Sequence, residues 1–128
     1  MRVKYFAYKD GYELVAKAVV WLNKRERKRL AELLEDAGEI TLCFWTTLTL
    51  SQIENPLVIE QVADVPFEPD EDWDERRELS DLLSMIEDEV ADLCCWLEHG
   101  EPKLSWATKQ KKGVNAGERI RCELAMGM

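Results

Sequence analysis

The sequence has one histidine, His99, in 128 residues, so catalysis centred on an imidazole base has a single anchor. It also lacks a Gly-rich phosphate loop, a G-x-S-x-G turn and an H-E-x-x-H helix, the patterns that carry phosphate cradling, nucleophilic serine chemistry and zinc-dependent hydrolysis. Long hydrophobic runs are missing too. The longest near the N-terminus, Ala18 to Leu22, falls short of a signal-peptide core and of the ~20 apolar residues that cross a bilayer. The four cysteines, Cys43, Cys94, Cys95 and Cys122, lie in stretches that read as ordinary strand and helix, and two are adjacent. That suits free thiols in a reducing cytoplasm better than a disulfide framework.

What the chain has in excess is acid. Twenty-six Asp and Glu stand against seventeen Lys and Arg, a formal charge of −9. The surplus is local: residues 54–101 hold seventeen acids against only Arg76 and Arg77, a charge of −15, whereas residues 1–53 carry +2 and residues 102–128 carry +4. A field of one sign on one stretch serves solubility or a basic partner. It repels phosphates, so direct binding to nucleic acid or to an anionic membrane is not expected. Tryptophan is the other excess, with Trp21, Trp45, Trp73, Trp96 and Trp106. Most belong in or beside a core, leaving one or two to anchor a partner.

With 46% hydrophobic and 34% charged residues, the composition is that of a globular domain. A chain of this length buries roughly two-thirds of its unfolded surface, so residues 1–128 are expected to form one domain without metal or disulfide. Residues 2–8 read as a strand. Residues 12–22 are ambiguous: Asp10-Gly11 suits a hairpin turn, but Asp10 with Glu13 is a capping-box pattern and Leu14, Val15, Ala18, Val19 and Leu22 share a helical face, which favours a helix slightly. Asn23 with Glu26 opens a helix over Lys24 to Ala37, stopped by Gly38. Glu39 to Leu50 alternates as one long inner strand. Asn55-Pro56 favours a short helix over residues 57–63, with a strand nearly as well supported. A long amphipathic helix is expected from about Trp73 to Glu98, ended by Gly100 and Pro102, and two further strands, around Leu104 to Thr108 and Ile120 to Met126, flank a basic loop over 110–117. These elements make an α+β domain, a mainly antiparallel sheet of four to five strands packed against the long helix and a shorter N-terminal-half helix.

Three groups of residues are candidates for function. On a helical wheel Asp74, Asp81, Asp88 and Asp92 gather opposite the leucine stripe, and with Glu78 and the preceding loop acids Asp70, Glu71 and Asp72 they form an anionic ridge for a partner's lysines and arginines. Equally, such a face keeps a protein soluble. Lys24, Arg25, Arg27, Lys28 and Arg29 form a basic patch whose charges oppose the dipole of a helix starting at Asn23. It reads as a continuation of a preceding helix with Lys28 paired to Glu32, as a surface facing the acidic helix, or as a phosphate site. Asp92, Cys95 and His99, at i, i+3 and i+7, are metal-capable but have no fourth ligand. Cys94, at the edge of the leucine stripe, is a small core residue. No cofactor is called for.

The expectation from these residues is a non-enzymatic binding module whose acidic surface occupies a basic, nucleic-acid-binding groove of another protein, such as a nuclease. Phage or mobile-element inhibitors of anti-restriction and anti-CRISPR type share this profile, though no family motif is present. An immunity protein or antitoxin for a basic toxin has the same surface physics. A small metal-dependent enzyme built on Cys95, His99 and Asp92, and a homo-oligomer with charged patches paired between protomers, are the other readings.

Overall fold

Asp10 is followed by a tight turn in which Gly11 alone takes a positive φ, 62°. That is the type II′ arrangement, whose twist matches that of paired strands. Strand β1 (Arg2–Asp10) therefore returns antiparallel as strand β2 (Glu13–Trp21), in register from Arg2 opposite Trp21 to Asp10 opposite Glu13. The helix favoured for residues 12–22 is thus a strand. Its β-branched Val15, Val19 and Val20 are stiff at χ1 and fit a pleated surface, and it is hydrogen-bonded on both sides, the second time to strand β5 (Leu57–Asp64). The same pairing makes residues 57–63 strand instead of the helix that Asn55-Pro56 suggested. The computed structural model describes residues 1–53 and 56–102; the two expected C-terminal strands and the loop over 110–117 lie outside the described residues.

The three-stranded sheet has the order β1-β2-β5, and one face carries the core. Leu14, Ala16, Ala18 and Val20 of β2 are fully buried, flanked by Leu57 and Ile59 of β5. Helix α2 (Glu75–His99) lies across this face and buries Leu82, Ile86, Val90 and Leu93 against it, side chains worth about 1.5–3 kcal/mol each. It starts beside Lys9, which pairs with Glu75 at 3.4 Å. By Glu87 and Cys94 it has reached Tyr5, whose phenol is raised above its ordinary pKa by burial first and then by those two groups. Cys94 is half-buried, and burial leads the causes that raise its thiol. The arrangement is α+β, a mainly antiparallel sheet packed against one long and one shorter helix.

Helix α1 (Lys24–Ala37) begins with the expected capping box: Glu26 N donates to Asn23 Oδ1 at 2.8 Å, and Asn23 N to Glu26 Oε1 at 2.9 Å. It ends at Gly38, φ 84°, whose N–H donates to Leu34 O. The long strand expected over Glu39 to Leu50 is instead a small hairpin, strands β3 (Glu39–Thr41) and β4 (Thr47–Thr49), followed by a 3₁₀ turn at Leu50–Gln52. Ile40, Leu42 and Leu48 join the core. The chain reverses over Leu42–Thr46, with Trp45 N bonded to Leu42 O at 2.9 Å and Leu42 N to Thr46 O at 2.8 Å.

Candidate partner-binding surface

The acidic ridge begins in the loop before α2, where Asp70, Glu71 and Asp72 are exposed. Asp74 is the N-cap of α2 and accepts from Arg76 N at 3.0 Å. Glu75 and Glu78 lie in the first turn, where carboxylates are favoured by the unsatisfied N–H groups and the macrodipole. Asp81 and Asp88 are exposed and follow Asp74 at steps of seven residues, a row about 21 Å long at 1.5 Å per residue. Of these acids only Glu75 belongs to the ion pairs found among the described residues, which join Met1 to Glu26, Lys9 to Glu75 and His99 to Glu98.

Two of the expected members differ. Glu78 is half-buried, and Asp92, assigned from the wheel to the solvent side, is 3% exposed. The wheel counted one buried stripe facing one sheet, but the β3–β4 hairpin covers a second flank of α2. Its contact is the buried carboxylate of Glu89, which accepts from Thr46 N at 3.0 Å, Thr46 Oγ1 at 2.8 Å and Gln61 Nε2 at 2.8 Å. Gln61 Nε2 also donates to Phe44 O at 3.0 Å. Three donors from β5 and the hairpin tip thus solvate a charge taken out of water, the condition for tolerating it there.

The hairpin tip presents a residue that charge counting missed. Trp45 is 84% exposed and holds a φ of 70°, a left-handed conformation that costs a bulky L-residue about 1–2 kcal/mol. Exposed aromatics kept in strained backbone tend to mark contact sites. The signal in the sequence was faint: the apolar series Ile40, Leu42, Phe44 skips Thr46 before resuming at Leu48. Next to Trp45, the Cys43 thiol is pushed up to about 11, by burial first and then by Asp92, Glu89 and Asp88. The tip therefore lies within the field of the acidic helix, and the indole stands at its flank.

In the basic patch, Lys24, Arg25, Arg27 and Lys28 are exposed in the first turns of α1. A strand precedes them, so they do not continue a helix, and Glu26 with Asn23 compensates the unfavourable end. Arg29 is half-buried and reaches the end of α2, where a Cβ on Gly100 would stand 3.0 Å from its Nη2. A cation there is favoured by the orphan carbonyls of a helix C-terminus. Asp92, Cys95 and His99 do not come together as a metal-holding group, nor do any three such side chains among the described residues. No helix among them is long and apolar enough to cross a membrane. Comparisons of the chain with protein-family models, with characterised proteins and with solved structures find no match.

Proposed function

We propose that the chain is a non-enzymatic, acidic protein-binding module that occupies a basic, nucleic-acid-binding groove on another protein and so inhibits it. The observation that carries this reading is the set of exposed carboxylates at Asp70, Glu71, Asp72, Asp74, Asp81 and Asp88, which the chain's own cations do not neutralise among the described residues. Desolvating such a row without a partner cation is unfavourable, whereas lysines and arginines placed for phosphates would bond it at 2.7–2.9 Å. Trp45 at the flank supplies the apolar anchor that pure electrostatics lacks.

The test is capture of binding proteins from a cell lysate on the immobilised chain, repeated with Asp81→Lys/Asp88→Lys and with duplex DNA added as competitor. Both substitutions lie on an exposed helix face, so circular dichroism should be unchanged. Loss of the captured protein in both arms, with an association rate that falls steeply with salt, is the expected result. Capture indifferent to charge reversal and to DNA would end the proposal.

A further inference from the structure

The face of the β1-β2-β5 sheet turned away from α2 is patterned in a way that the acidic ridge does not explain. The register stacks its side chains into rows across the strands. At one end stand Arg2 and Lys4, with the Arg2 guanidinium 4.4 Å from the centre of the Trp21 ring. At the other end stand Asp10, Glu13 and Asp64, all exposed and adjacent in register. The rows between are largely apolar, and Tyr8, Val58 and Val62 remain 39%, 49% and 43% exposed. Val15, which belongs to this face and not to the core cluster, is only 5% exposed. Lys17 lies over the rings of Phe6 and Tyr8, at 5.8 and 5.4 Å from their centres, and its register neighbour on β5 is Glu60.

We infer that this face is a homodimer interface, a second copy of the chain stacking on it with its strands antiparallel. Charge complementarity selects both the occupant and its orientation. A two-fold axis parallel to the sheet and perpendicular to the strands stacks each strand on its own copy in reverse, so the end with Arg2 and Lys4 meets the acidic end of the partner copy, Arg2 facing Asp10 with Glu13 on the next strand, and the apolar rows lie over each other. A two-fold axis along the strands would set cation on cation and carboxylate on carboxylate, so it is disfavoured. Such isologous contacts are the commonest route to a dimer. The footprint sets the strength. Nine residues at about 3.3 Å and three strands at about 4.8 Å give a face of roughly 400 Å² per copy, half the standard patch of about 800 Å² per partner. The dimer is therefore weak and concentration-dependent. The inference is independent of the acidic ridge, which belongs to the helix layer on the opposite side of the sheet.

Sedimentation equilibrium of the full chain across roughly three decades of concentration tests it. The weight-average mass should rise from 14.9 kDa toward twice that value, and added salt should suppress the rise. Arg2→Glu/Lys4→Glu and Glu13→Lys/Asp64→Lys should each stay monomeric, and an equimolar mixture of the two should recover association, because each end of one variant then meets a net opposite charge on the other. A zero-length carbodiimide cross-link between Lys4 and Glu13 gives the orientation. Lys4 pairs with Val19, six residues from Glu13, so within one copy the two are about 20 Å apart and only an intermolecular link can form. A full chain that is monomeric throughout would overturn the inference and leave the face to residues 103–128 or to a foreign protein. Association that persists in both charge variants would overturn it as well, by placing the interface elsewhere.

Discussion

Replacing Glu89 by alanine removes the group on which the hairpin tip closes. Three donors lose their acceptor: Thr46 N, Thr46 Oγ1 and Gln61 Nε2, at 3.0, 2.8 and 2.8 Å. Hydrogen bonds to a charged group contribute a net ~1.5–3 kcal/mol each, which sets a ceiling of about 9 kcal/mol. The loss falls below that ceiling because Gln61 Nε2 keeps Phe44 O and because half-buried Thr46 can turn to water. Losing the acceptor in a fully buried position should cost about 3–5 kcal/mol, the range for breaking a buried polar cluster. At roughly 4 °C per kcal/mol for a domain of this size, Tm falls by about 12–20 °C. Urea denaturation at unchanged m gives the free energy, and hydrogen exchange of the Thr46 amide gives its location. Glu89→Gln retains one acceptor and should cost about 2 kcal/mol. A loss under about 1 kcal/mol for Glu89→Ala, with Thr46 exchanging freely, would show that the tip opens on its own and would refute its coupling to the fold.

Trp45→Gly removes an exposed indole from a backbone at φ 70°; relief of about 1–2 kcal/mol outweighs the extra unfolded-state entropy of glycine, so stability should rise by about 0.5–1 kcal/mol in the same urea assay. The Cys43 thiol, pushed up to about 11, stays protonated where a free cysteine ionises. Its alkylation at pH 8 should be about 100-fold slower than that of a free cysteine and should accelerate until the pH passes that value, with Asp88→Asn moving the profile down. Gly100→Ala and Gly38→Ala both place a Cβ at positive φ, 73° and 84°. Each should cost about 1 kcal/mol, and a larger loss at Gly100 measures the displacement of Arg29, since nothing lies within 4 Å of the Cβ at Gly38.

Local signals were legible in the sequence and non-local ones were not. The Asn23–Glu26 box and the Gly38 stop act within four residues, and both ends of α1 follow from them. Residues 12–22 satisfied helix and strand patterns alike, and the choice was made by strands ten and forty residues away that pair on either side. The break in Glu39–Leu50 has no glycine or proline to announce it, because it is pinned by a carboxylate forty-three residues distant. The acidic ridge was legible as composition and as a wheel through Asp88. Beyond that point the wheel misplaced Asp92, since a helix covered on two flanks has a wider dry sector than its leucines reveal.

Ala16 and Ala18, at the centre of the middle strand, have no exposed surface and no side chain beyond a methyl, so they set how low the long helix rides. A bulkier residue at either position would act as a wedge. Gln61 is the register neighbour of Ala16, and raising the helix pulls Glu89 away from it and from Thr46. A single added methyl group in the floor of the sheet would thus be felt as a tilt of the indole at the molecule's rim.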